Sequence, residues 1–294
     1  MADAPPTSPP PSPFARYMAL SSRQITTLLS RSDIFLIRLN RLLSTPSGVD
    51  TALCTICYFL TLVHARLSAL LASRLQSLAE TIAKNASDTL LPGETLVATI
   101  PAPEGASRLA YAADSTKRLA DLIADVRIFV RLWDLLKIYA WGRKTYLEPP
   151  KDRALKVIAW TQVGVNAAYQ LLENGAYLAQ HGILDWTERK QTRWWLWSSR
   201  FWAAHVALDL ARLGRQRHLR KREAHERGGE EKEGKIERRK EEALWLKEVI
   251  VNAAYAPMTI HWSLEEGVIS ESMVGLLGTI AGGVSLRDKW MKTA

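Results

Sequence analysis

The chain has 294 residues, 47% of them hydrophobic and 23% charged, with a formal net charge of +9. A mean hydropathy of −0.10 is too low for a polytopic transporter and too high for a disordered chain, and the length suits one large domain or two small ones. The basic balance, with a pI near 9.6, points to a polyanionic partner, either phospholipid or nucleic acid.

The first 13 residues are rich in Pro and Ser and read as a disordered tail, with a weak helix at 16–30 to complete a poorly ordered segment 1–30. Asp3 and the Pro run replace the basic start and apolar core of a secretory signal. The C-terminal Met291-Lys292-Thr293-Ala294 is not a Ser-Lys-Leu-type peroxisomal matrix signal. Residues 34–43 read as a helix that Thr45-Pro46-Ser47-Gly48 breaks.

A long helix is expected over 50–84. Its apolar run 51–63 suits a buried helix better than a membrane span, and its second part keeps Leu67, Leu70, Leu71, Leu75, Leu78 and Ile82 together. Cys54 and Cys57 are spaced C-x-x-C within that run. A redox pair needs a preceding strand and zinc needs two more ligands, so packing is the expected role, and no cofactor or metal is expected. A loop punctuated by Pro92, Gly93, Pro101, Pro103 and Gly105 covers 91–107.

Residues 115–141 form the most informative stretch. On a helix, Leu119, Leu122, Ile123, Val126, Phe129, Val130, Trp133 and Leu136 share one broad apolar face. Arg127 and Arg131 line one edge of it, and Asp121 and Asp125 the other. Such a helix either packs in a soluble bundle or lies in a membrane interface, apolar side down. Glu148-Pro149-Pro150 ends it and divides the chain into an N-terminal region, 31–148, and a C-terminal region, 151–290.

The next helix, 154–184, is apolar except for one polar stripe of Asn166, Gln170, Glu173, Asn174, Tyr177 and His181. In a bilayer that stripe must face protein or water; in a soluble bundle it is the wet side. Trp186, Trp194, Trp195, Trp197 and Trp202 cluster at or near the start of 194–213, an apolar segment too charged for a confident span. Residues 212–242 read as a solvated charged insert, helix or loop, and 244–256 as a helix stopped at Pro257. No recognition motif with interleaved aromatics supports nucleic-acid binding. The run 267–286 carries Gly275, Gly278 and Gly282 on one side, a spacing that lets helices approach closely. Arg287, Lys289 and Trp290 bound it, which makes it the expected transmembrane or deeply inserted helix.

The expected fold is all-α, a membrane-associated bundle of long amphipathic helices. No P-loop, dinucleotide fingerprint, zinc-protease motif or nucleophile elbow is present, so no enzyme is expected. A channel for small metabolites, lined by the 166–181 stripe, and a soluble helical adaptor are the alternatives to a membrane-shaping protein.

Four places resemble the peroxin-11 family of peroxisomal membrane proteins, in a divergent fungal branch. They are Leu42-Leu43…Gly48-Val49-Asp50; Thr116-Lys117-Arg118 with the helix up to Trp133; Tyr169, Glu173, Asn174, Tyr177, Leu178 and Gly182; and the Gly-rich run ending at Arg287 and Met291. The likeness spans roughly 33–290. It implies a protein of the peroxisomal membrane that self-associates, recruits fission machinery and inserts an amphipathic helix to elongate the membrane before division. That role would fall to Leu119, Leu122, Ile123, Val126, Phe129, Val130 and Trp133, with Arg127 and Arg131 at the lipid headgroups.

Overall fold

The computed structural model describes residues 31–87, 105–226 and 232–294, and every regular element among them is a helix. The segment 1–30, most of the 91–107 loop and the centre of the charged insert lie outside the described residues. The chain divides into two units, one comprising Met1–Val49 with Arg287–Ala294, the other Asp50–Leu286.

In the first unit, helix α1 covers 31–43. Arg38 donates from Nη2 to the carbonyl of Trp290 at 2.8 Å and lies 4.7 Å over its ring, while Phe35 packs 5.3 Å from the same indole. The break expected at 45–48 is present. Thr45 Oγ1 accepts from Gly48 N at 3.0 Å and so caps α2, which opens on Pro46. Gly48 is required there, because a Cβ would sit 1.9 Å from the carbonyl oxygen of Leu42.

In the second unit α2 (Pro46–Ser87) continues, followed by α3 (Ala106–Arg131), α4 (Asp134–Leu147), α5 (Arg153–Gln180), α6 (Glu188–Glu226), α7 (Lys232–Trp262) and α8 (Glu271–Met291). Both α3 and α8 run antiparallel to α2. On α3, Ala106, Ala113 and Ala120 are buried at seven-residue spacing, and this narrow seam faces α2. Cys57 Sγ donates to Ala120 O at 3.4 Å, and His64 Nδ1 lies 2.9 Å from Ala113 O. Both cysteines are buried and free.

The helix read as one piece over 115–141 is two. Leu132 N bonds back to Phe129 O at 3.1 Å, a tight i→i−3 turn, and α4 restarts at Asp134. The freed carbonyl of Leu132 accepts from Asn174 Nδ2 at 3.0 Å, so a side chain of α5 holds the break.

Asp152 caps α5 by accepting from Leu155 N at 3.0 Å. Hydrogen bonds from Arg215, then from the Leu155 backbone, hold its carboxyl down to about 2. Helices α5, α6 and α7 form an antiparallel sheaf centred on Asp209. Its carboxylate accepts from Gln162 of α5 at 3.1 Å, Arg212 of α6 at 2.7 Å and Asn252 of α7 at 2.8 Å. The stretch read as a solvated insert is helical as α6 extends to Glu226 and α7 resumes at Lys232.

Among the described residues, α2 is the helix long and apolar enough to cross a membrane. The sequence reading favoured 267–286 instead. Helix α8 falls short because Glu271 opens it and Arg287, Asp288 and Lys289 occupy its last turns.

Candidate membrane-facing surface and its internal support

The alanine seam lies on the side of α3 turned toward α2, and what lies opposite is left bare. Leu119, Leu122, Val126, Phe129, Val130 and, past the break, Trp133 and Leu136 are exposed, with Leu122 at 60%, Phe129 at 56% and Trp133 at 68%. Ile123 is half-buried. Tyr139, at 72%, continues the surface along α4. Contiguous apolar exposure on this scale marks an interaction surface for lipid or protein.

Arg127 and Arg131 do not edge that surface. Arg127 falls seven residues after Ala120 and so continues the inward seam. Its side chain is only 12% exposed, and Nε donates to Asp50 Oδ1 at 3.0 Å. Arg131, one turn on, donates from Nη2 to Glu173 Oε1 at 2.9 Å. These cations hold α3 to α2 and α5. The exposed cations nearby are Lys117, Arg118, Lys137, Arg143 and Lys144.

Most of the polar stripe of α5 is turned into the chain. Gln170, Glu173 and Tyr177 are buried. Glu173 Oε1 also accepts from Tyr169 OH at 2.7 Å, and Gln170 Nε2 donates to Asn174 Oδ1 at 2.7 Å. Tyr177 OH donates to Asp125 O at 3.5 Å, and the exposed His181 brings Nε2 within 2.9 Å of the Asp125 carboxylate. At the other end, Asn166 Nδ2 donates to Gln162 O at 2.8 Å and to His205 Nδ1 at 2.9 Å. Burial pushes the His205 pKa below its ordinary value, which favours the neutral ring. The stripe thus joins α5 to α3, to the α3–α4 break and to α6.

The glycines of α8 meet α2 of the same chain. A Cβ on Gly275 would lie 2.5 Å from Leu62 N, one on Gly278 2.2 Å from Tyr58 Cγ, and one on Gly282 2.7 Å from Thr55 Oγ1. This side of α8 is therefore occupied within the chain.

Two signals that matter most were absent from the sequence reading. The seven-residue alanine spacing was visible, and would have turned Arg127 inward. Asp50, the partner of Arg127, lies 77 residues away and carries no local signal.

A sequence profile described as Peroxisomal biogenesis factor 11 (PEX11) matches residues 104–290, which takes in α3 through most of α8. An uncharacterized protein of the fission yeast Schizosaccharomyces pombe is 28% identical over 174 residues, 59% of this chain and 75% of its own length. No solved structure matches. The chain belongs to the peroxisomal biogenesis factor 11 family, peroxisomal membrane proteins that act as biogenesis factors in peroxisome proliferation rather than as classical enzymes.

Proposed function

We propose that the chain bends and elongates the peroxisomal membrane by laying the apolar face of α3 and the start of α4 into one leaflet, promoting fission. The observation that carries this reading is the uncovered row from Leu119 to Leu136 on a helix whose opposite side is pinned by alanines and buried arginines. Side chains wedged into one leaflet expand it relative to the other, which curves the bilayer. Headgroup contact falls to Lys117, Arg118 and Lys137, which are exposed, and not to Arg127 and Arg131.

In this reading the N-terminal region, 31–148, carries the wedge and the C-terminal region, 151–290, braces it. Helix α2 anchors the chain in the bilayer, and α8 lies deep against it through Gly275, Gly278 and Gly282. Self-association and the recruitment of fission machinery, both implied by the family, use other surfaces than the α8 glycines. The buried bonding of the α5 stripe favours a brace over a metabolite path.

Spin labels placed by Leu122→Cys and by Asp121→Cys, the latter exposed and about 100° around the helix from the former, on the full chain bound to vesicles, test the orientation. The label at 122 is expected to be accessible to oxygen and shielded from a water-soluble nickel chelate, and the label at 121 the reverse. Equal chelate access at both positions removes the wedge.

A further inference from the structure

A cavity of about 1050 Å³ opens among α2, α3, α5, α6, α7 and the start of α8. That is at the upper end of the size range of small-molecule sites, roughly 300–1,000 Å³. One side is apolar and aromatic: Trp202 stacks on Trp262 at 5.4 Å and 13°, and Tyr255 lies 5.6 Å from Trp202, with Trp195 and Leu196 on the same lining. Such a wall suits the body of an amphiphile.

The ionisable groups around the cavity decide which head group goes with that body. Arg127 is matched by Asp50 at 3.0 Å, Arg131 by Glu173 at 2.9 Å and Asp121 by Lys117 at 3.2 Å. His261, also on the lining, accepts at Nδ1 from Ile269 N at 3.1 Å, so that nitrogen holds no proton. Glu271 differs from the other carboxylates. It lines the cavity with its side chain 51% exposed, and so stands at the mouth. Among the described residues the basic group that approaches it is His64, whose Nε2 lies 3.8 Å from Oε2. Helix α3 orients that ring, because His64 Nδ1 lies 2.9 Å from Ala113 O. A carbonyl only accepts, so the Nδ1 proton is spent there, and the uncharged ring turns the lone pair of Nε2 toward Glu271. Two acceptors then face one another across 3.8 Å. Counted with their partners, three cations stand against four carboxylates, an excess of one negative charge.

We propose that this cavity binds a long-chain primary amine, whose ammonium donates to Glu271 and to His64 Nε2 and whose chain lies against Trp195, Trp202 and Trp262. The ammonium cancels the excess charge and supplies the donors that both acceptors lack. Other head groups fit less well. A quaternary ammonium carries the charge but no N–H. A phosphate beside the amine finds each arginine already matched. A fatty acid repeats the sign of Glu271. The site is separate from the exposed face of α3 and does not depend on its inserting into a leaflet.

The wall tryptophans supply the readout. The full chain in phosphatidylcholine nanodiscs is titrated with sphingosine labelled by nitrobenzoxadiazole at the far end of its chain, and energy transfer from tryptophan is followed. Saturable transfer at one probe per chain is expected. Unlabelled sphingosine should displace the probe at a concentration at least tenfold lower than N,N,N-trimethylsphingosine, phosphatidylethanolamine, sphingosine 1-phosphate or oleate. Glu271→Gln keeps the shape of the side chain and removes its charge, and is expected to weaken binding at least tenfold. Ala124→Phe, which fills the cavity from α3, is expected to weaken it as much, while both variants keep the wild-type thermal transition to within a few degrees. The proposal is overturned if the probe does not saturate, if either variant binds like the wild type, or if any of the four competitors displaces the probe as well as sphingosine does.

Discussion

Replacing Phe129 by glutamate is the sharpest test of the wedge, because the structure fixes how much is at stake. Phe129 is 56% exposed. For a side chain of about 200 Å², roughly 110 Å² is available to lipid. At about 25 cal/mol per Å² this contributes about 2.8 kcal/mol of transfer free energy. That corresponds to about a 100-fold change in partitioning of the α3 face between water and the interface. The carboxylate introduced in its place adds a cost of its own. The internal packing of α3 runs through Ala106, Ala113 and Ala120, so folding should be unaffected and the thermal transition preserved. The assay is tubulation of reconstituted liposomes by the full chain, scored by electron microscopy, with α2 expected to keep the variant on the membrane. Tubules should vanish at protein densities where the wild type forms them. If Phe129→Glu remains folded and bound and tubulates as well as the wild type, the face does not wedge lipid.

The close contact of α8 on α2 predicts that Gly278→Ala, whose Cβ would sit 2.2 Å from Tyr58 Cγ, lowers stability by about 1–3 kcal/mol. Gly283→Ala, with nothing within 4 Å, should leave the melting temperature in detergent unchanged. Glu173→Leu strands Arg131 and the Tyr169 hydroxyl, and should cost about 3–5 kcal/mol. Adding Arg131→Leu should recover more than half of that loss; a double-mutant cycle with no recovery would show that the pair is not coupled. Desolvation lowers the pKa of the half-buried His205, so its contribution is full above its unfolded value near 6.5 and is lost as pH falls from there through the lower folded value. Melting temperature measured between about pH 7 and 4.5 should therefore fall less steeply in His205→Phe than in the wild type.

What the sequence conveyed well was periodicity. The apolar face of 115–141 and the polar stripe of 154–184 were both legible, because each repeats at helical spacing over several turns. The stripe's meaning was not. The same spacing of Gln170, Glu173 and Tyr177 describes a wet face or a buried brace. Only the arrival of Arg131, Asp125 and the Leu132 carbonyl selects the second. Likewise nothing local marks the interruption between Phe129 and Asp134, which depends on Asn174 reaching across from α5. The run Thr51–Val63 is by itself too short to span a bilayer, whereas α2 carries its apolar side on past it, through Leu67, Leu70 and Leu75.

The arginines connect fold to function more directly than the greasy face does. An amphipathic helix on a bundle can rotate, and a rotation of about 100°, one residue's worth, exchanges neighbouring stripes of side chains. In α3 such a rotation would drag Arg127 from Asp50 and Arg131 from Glu173. Uncovering a pair as enclosed as Arg131–Glu173 is strongly unfavourable once one partner is left behind. The alanine seam alone would tolerate sliding, since small side chains define position weakly. The two ion pairs, one turn apart and reaching two different helices, make the inward direction unique. The outward display of Leu122, Phe129 and Trp133 is then a consequence of internal electrostatics. Cations that the sequence places at the edge of the apolar face instead hold that face outward.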